Sequence, residues 1–237
     1  MKILAADTGT EHCGVAICDD QLIVVEISVK INDTHSKHLL KLIGAALDMS
    51  GLSISEIDGF AAAIGPGSFT GLRIGISAMQ GMAAASGKPM AGMPTLNALA
   101  WQASFAPCLI APFLDARREE VYCCRCRFTD GALTKEQKDG VMSPEQALEG
   151  IDEPCLFIGS GALAHKKVIE KIMGQRAIFP LPGHHGLRPS TVAGMALEKF
   201  KAGHPSTPET IVPHYIRQPD AKVKRHNAMA SLDQSAP

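Results

Sequence analysis

Three short stretches hold the residue types that could do chemistry in this chain. The first, Asp7-Thr8-Gly9-Thr10, follows an apolar run and offers one carboxylate and two hydroxyls. Such a group can hold a metal-bound phosphate, or it can close a hairpin through local Asp and Thr bonds. The second, Gly65-Pro66-Gly67-Ser68-Phe69-Thr70-Gly71-Leu72-Arg73, joins an apolar run to a helical pattern. With Ser68 at the helix start it could cradle a phosphate or carboxylate. Its small residues could equally let two elements pack closely. The third, Gly159-Ser160-Gly161-Ala162, could lie against an adenine or ribose, or simply turn the chain. Catalysis at Asp7 would need a second carboxylate, and Asp115 is the candidate.

Other reactive side chains suggest less. Cys123, Cys124 and Cys126 fall in an alternating run that sends Cys123 to the opposite face of a strand, so they do not converge on a metal. They read as small buried hydrophobes. His184-His185 has no ligand partner at useful spacing, and His35 and His38 flank a helix start, where they face solvent or a partner. No metal site and no cofactor are expected.

The elements that position these groups follow from periodicity. Apolar runs at 3–6, 14–18, 22–29 and 60–64 read as strands, and the first ends at Asp7. A helix is expected over 34–49, where Leu39, Leu42, Ile43, Ala46 and Leu47 recur at helical spacing. A second runs from the glycine loop to about Ser86 and carries no charge between Arg73 and Lys88. Such a helix is a central core helix, half of a protein interface, or both. A second unit opens near Pro107 with strands at 108–114, 121–128 and 156–158, and ends in a helix over 191–201. Spacing alone reveals no internal repeat, although both units open with a strand that ends in Asp. The expected division is a subdomain over 1–104, another over 105–218, and a disordered tail over 219–237 bearing Lys222, Lys224 and Arg225.

Composition narrows the function classes. The 237 residues carry a formal net charge of -1, so the chain as a whole exerts no strong pull on nucleic acid. One Trp and two Tyr give little material for a base-stacking surface. The start reads as no secretory leader, and no apolar run reaches the length of a membrane span. Seven Cys without a paired framework fit a reducing cytoplasm.

The residues from Gly65 to Arg73 with Ile74-Gly75-Ile76, the opening Ile3 to Thr10, Asp115 to Tyr122, and the closing Pro213 to Arg217 together resemble the TsaB (also called YeaZ) family over residues 1 to about 221. The resemblance implies an α/β actin-like ATPase fold of two subdomains, each a mixed β-sheet flanked by helices. It implies a paralogue of TsaD, the subunit that transfers a threonylcarbamoyl group to an adenosine of tRNA. TsaD carries a metal-binding His-x-x-x-His segment roughly where this chain has Pro94 to Ala100, which contains no His. The resemblance therefore implies a non-catalytic cytoplasmic subunit that pairs with TsaD and the small ATPase TsaE and meets tRNA through that complex.

The pairing surface is expected on the first two helices, through Leu39, Ile43, Leu47, Leu72, Ile76, Met79 and Ala83, with a homodimer through the same residues in isolation. Asp7, Thr8, Thr10, Asp115, Gly159 and Gly161 are the expected remnant of a nucleotide site. Two rivals stand beside this reading. One is a nucleotide phosphohydrolase or kinase of the same fold using Asp7 and Gly159 to Ala162, with Asp115 as its second carboxylate, and the other a metallopeptidase, which the missing His pair argues against.

Overall fold

The computed structural model describes residues 1–31 and 36–217. The expected tail over 219–237, the first residues of the helix expected from Thr34, and His35 lie outside the described residues.

Two five-stranded mixed sheets form the frame. In the first, β1 (Lys2–Asp7), β2 (His12–Asp19) and β3 (Leu22–Lys30) run as an antiparallel meander, and β4 (Gly59–Gly65) and β5 (Met90–Pro94) add in parallel, giving the order β3-β2-β1-β4-β5. The second is built from β6 (Leu109–Asp115), β7 (Val121–Thr129), β8 (Ala132–Met142), β9 (Cys155–Ile158) and β10 (Ala177–Ile178), in the order β10-β9-β6-β7-β8. Read from the other edge, it is the first sheet's order again. The chain thus repeats one topology twice, a symmetry that residue spacing concealed.

Helices fill three layers around the sheets. α1 (Ser36–Ser50) and α2 (Phe69–Ser86) cover the outer face of the first sheet. α3 (Thr95–Gln102), α4 (Pro144–Leu148), α5 (Ser160–Ala164) and α6 (Lys166–Met173) follow, and α7 (Pro189–Lys201) closes the series. α4 and α6 pack together on the outer side of the second sheet, while α3 and α7 lie between the sheets. α7, from the expected second subdomain, packs on β1 and β2, and α3 reaches β6, so the packing crosses the 104/105 division.

Side-chain alternation explains the layering. On β1, Ile3 and Ala5 face the central helices while Leu4 and Ala6 face α1 and α2. On β6, Ile110 and Leu114 join the central layer while Leu109, Ala111 and Phe113 face outward onto the α4–α6 side. Strands buried on both faces read as continuous apolar runs, which is why these were visible in the sequence.

The C-terminal segment 204–217 returns to the first half. Ser206 bridges Met90, Gln80 donates to the Pro208 and Ile211 carbonyls, and the His214 amide donates to the Ile64 carbonyl at 2.7 Å. This strap then crosses toward the second half, where Arg217 donates to the Ala116 carbonyl and pairs with Glu120.

Candidate functional site

The ends of β1 and β6, the central strands of the two sheets, face a cleft of about 530 Å³. Each strand ends in a carboxylate, and each carboxylate accepts from the amide two residues on. Asp7 accepts from the Gly9 amide at 2.9 Å, and Asp115 accepts from the Arg117 amide at 2.8 Å.

The two then diverge. Asp7 is sealed in, and its second oxygen accepts from the Thr10 hydroxyl. Burial pushes its carboxyl up to about 6, against the opposing pull of the Thr10 hydroxyl and the Gly9 and Thr10 amides. It does not line the cleft. Asp115 does, with Thr10, Ser68 and Ser160 among its neighbours there. Arg117 Nη1 lies 3.7 Å from Asp115 Oδ2, and the Asp115 amide donates to Ser160 Oγ. Thr8 is buried and donates to the Gly71 carbonyl, away from the cleft. Of the residues expected at a nucleotide remnant, Thr10 and Asp115 line the cleft, while Asp7 and Thr8 serve the turn and its packing.

The glycine run resolves in favour of packing. A Cβ on Gly67 would lie 2.4 Å from the Gly9 carbonyl oxygen, and one on Gly71 1.9 Å from that of Thr8. The Ser68 amide, which a phosphate cradle would offer to an anion, donates to the Gly9 carbonyl at 2.7 Å, and Ser68 Oγ caps the Gly71 amide. Gly159 and Gly161 repeat the device in the second half. Their Cβ atoms would meet the Phe113 carbonyl oxygen at 2.3 Å and the Leu114 carbonyl carbon at 2.8 Å. Gly65 and Gly159 also share a backbone geometry, with φ of 117° and 111°, that a side chain would resist.

The expected partner surface needs correction. Leu39, Ile43, Leu72, Ile76, Met79 and Ala83 lie in the chain's own core, each at most 5% exposed, and Leu47 packs half-buried against the same cluster. A helix without charges reads as buried all round, but α2 covers the sheet with one side only. Its outer side is uncharged beyond Arg73 because it is built from small residues, Ser77, Gly81, Ala84 and Ala85. On α1 the exposed apolar residues are Leu40 and Met49. A homodimer through the seven expected residues would have to unpack the first sheet.

Cys124 and Cys126 share the central layer, their sulfurs 3.7 Å apart, while Cys123 faces the opposite core, as alternation required. Burial pushes the Cys123 thiol up to about 11. His184 is exposed, and His185 is buried with Nδ1 3.2 Å from the Gly159 carbonyl. Burial lowers its pKa, and no spacing in the sequence signalled that role. Sequence reasoning also missed the strap contacts. Tyr215 stacks on Phe69 with ring centroids 4.7 Å apart, and Arg73 lies 3.8 Å over the other ring of that pair, Phe69, while donating to the Tyr215 hydroxyl.

Comparison with known proteins agrees with this architecture. The family model described as TsaD, tRNA N6-adenosine threonylcarbamoyltransferase, matches residues 29–227. The tRNA threonylcarbamoyladenosine biosynthesis protein TsaB of Bacillus subtilis is 29% identical, over 94% of this chain and 97% of its own length. Its Escherichia coli namesake is 34% identical over 68% of this chain and 72% of its own. The solved structure of YeaZ from Pseudomonas aeruginosa, 28% identical, superposes with a TM-score of 0.75 over 90% of this chain and 99% of that one. A 2-hydroxyglutaryl-CoA dehydratase component A from Acidaminococcus fermentans, 12% identical over 85% of this chain and 98% of its own, shares the fold with a TM-score of 0.53. On sequence and on its doubled, two-sheet actin-like ATPase fold, the chain belongs to the TsaB (YeaZ) family of tRNA threonylcarbamoyladenosine biosynthesis proteins.

Proposed function

We propose that this chain is a non-catalytic subunit for threonylcarbamoyl transfer to adenosine in tRNA, and that it pairs in the cytoplasm with a TsaD-type subunit and with TsaE. The observation that carries the reading is the closure of Asp7. Its oxygens are taken by Gly9 and Thr10, its carboxyl is sealed from the cleft, and Asp115 is engaged by its own turn. General acid–base work or metal-assisted phosphoryl transfer needs converging groups that can reach a substrate. Asp7 and Asp115 are each bound into the hairpin that follows them, and Glu11, which also lines the cleft, pairs with Lys30 at 3.0 Å. The uncharged, small-residue outer side of α2 with Leu40 of α1 supports the pairing part, because small residues allow a second helix layer to approach closely. Among the described residues no helix is long and apolar enough to cross a membrane.

Reconstitution tests the reading. The pure chain is expected to show no threonylcarbamoyl transfer and negligible ATP hydrolysis, while transfer by TsaD and TsaE is expected to depend on adding it. Asp115→Asn is expected to leave that dependent transfer within about threefold of wild type, since a group outside the chemistry contributes little to the barrier. Turnover of ATP by the pure chain, abolished by Asp115→Asn, would overturn it. That outcome would support a second reading, a phosphohydrolase of the same fold, which the cleft beside Asp115 and Ser160 favours.

A further inference from the structure

The strap that follows α7 is held against the first half as far as Tyr215. Ile211 is buried in the outer core of the first sheet, and Gln80 of α2 donates to the Pro208 and Ile211 carbonyls at 2.7 and 2.9 Å. The His214 amide then donates to the Ile64 carbonyl of β4. Phe69 and Arg73, at the amino end of α2, grip Tyr215 by stacking and by a 3.0 Å hydrogen bond to its hydroxyl. Two residues later Arg217 crosses to the second half. One arm of its guanidinium donates to the Ala116 carbonyl at 2.8 Å, and the other pairs with Glu120.

Those two residues are the ends of a strained turn. Between β6 and β7, Arg117, Arg118 and Glu119 have φ of 62°, 55° and 57°, three consecutive non-glycine residues in the left-handed region. Side chains disfavour that region, and such strain persists only where the surroundings enforce it. Inside the turn the Ala116 amide donates to the Glu120 carbonyl at 2.9 Å and the Glu120 amide to the Arg117 carbonyl at 3.0 Å, while Asp115 accepts from the Arg117 amide. Arg217 adds a bond from outside at each end. The turn is also part of the cleft wall, since Asp115, Ala116 and Arg117 line the cleft.

We infer that the strap is a latch between α2 and the cleft: the grip of Phe69 and Arg73 on Tyr215 keeps Arg217 in place, and Arg217 keeps the 116–120 turn in a shape it would otherwise leave. Were the strap only a tie between the halves, the turn it ties could be relaxed. A strained turn under an external clamp has two discrete arrangements, so a change at one end of the strap is read at the other. Arg73 is exposed on α2, the helix whose outer side the pairing reading assigns to a TsaD-type subunit. The inference rests on that reading for the event that works the latch. A subunit that draws Arg73 off Tyr215 frees Arg217, and the cleft wall at Asp115 and Arg117 relaxes with the turn.

Amide hydrogen exchange of the isolated full chain, read residue by residue by NMR and corrected for intrinsic rates, tests the latch without a partner. Arg217→Ala is expected to speed exchange at the Ala116 and Glu120 amides about tenfold, through loss of two charge-assisted bonds. The amides of β1 and of Leu109 to Phe113 are expected to stay as slow as in wild type, which also shows that the variant is folded. Glu119→Gly removes the penalty at one left-handed position, so adding it to Arg217→Ala is expected to restore about fivefold of the lost protection. Arg73→Ala, on α2 rather than in the turn, is expected to speed the same two amides about threefold or more. Unchanged exchange in Arg217→Ala would overturn the clamp, and no recovery with glycine would overturn the stored strain. An effect of Arg73→Ala confined to α2 and the strap would make the strap a tie rather than a latch. Because no subunit is present in these measurements, failed reconstitution with TsaD overturns the pairing reading alone, and faster exchange at the turn establishes the latch in either case.

Discussion

Thr8 and Gly71 meet at two points: the Thr8 hydroxyl donates to the Gly71 carbonyl at 2.7 Å, and the Thr8 carbonyl occupies the place of a Cβ on Gly71. This contact seats α2 on the end of β1. Gly71→Ala forces backbone against backbone, so it is expected to destabilise the fold by about 3 kcal/mol or more. Gly81, on the same helix, has nothing within 4 Å of its Cβ position. Gly81→Ala is therefore expected to stabilise by about 0.5–1 kcal/mol through helix propensity. Urea unfolding of the two variants checks the pair, and similar effects from both would mean that glycine is needed for some other reason.

The same comparison shows what the sequence made legible. Strands buried on both faces and the amphipathic α1 declared themselves by pattern, and the glycine run marked a place of close approach. What approached it did not follow, because the Gly9 and Thr8 carbonyls come from a turn about sixty residues away, at a contact fixed only by the folded sheet. β5 was invisible as five residues containing Gly92 and Pro94, and β8 because its edge position permits Lys135, Glu136, Lys138 and Asp139. The strap's contacts escaped for a different reason. Composition averages two tyrosines over the whole chain, and only the strap's return brings Tyr215 onto Phe69.

The helix stripe gives a sharper test. Met79 is fully buried on the first sheet. Met79→Glu places an unpaired charge in that core, at a cost of about 5 kcal/mol, and is expected to yield unfolded or aggregated protein rather than a folded monomer. Leu40 is 68% exposed, so Leu40→Glu is expected to change stability by less than about 0.5 kcal/mol. It is also the variant expected to weaken pairing with a TsaD-type subunit. Sedimentation and thermal melts separate the two, and a folded Met79→Glu protein would contradict the burial of this stripe.

Glu26 ties β3 to the start of α7. It accepts from the Ser190 amide at 2.9 Å and from the Arg188 guanidinium. Burial alone would raise its carboxyl, but the Ser190 and Arg188 hydrogen bonds outweigh that and hold it below the usual value. Its contribution is therefore present above the ordinary glutamate range and is lost as pH falls through the lowered value. Arg188 is about half exposed, so solvent screens much of the charge term. Glu26→Gln is expected to cost about 1 kcal/mol at neutral pH and less in acid. Unfolding free energies at the two pH values check this, and a cost that grows in acid would refute it.

Asp7 should show the opposite sign. Its folded carboxyl is raised to about 6 from an ordinary 3.8, with burial as the main cause. Below pH 3.8 the group is protonated in both states, and its full relative contribution to the fold is present. Between 3.8 and 6 the folded state holds a proton that the unfolded chain has released, so raising the pH favours unfolding. Above 6 both states are ionised, and the fold has lost about 3 kcal/mol relative to the acid end. Asp7→Asn cannot titrate, and its side-chain oxygen can still accept from Gly9 or Thr10. The variant's stability relative to wild type is therefore expected to rise by about 3 kcal/mol from pH 3.8 to pH 6 and then level off. Comparing the two in the same buffers cancels the titrations of all other carboxylates. Parallel curves would mean that Asp7 is solvated in the folded state, and a catalytic role in the cleft would regain its footing.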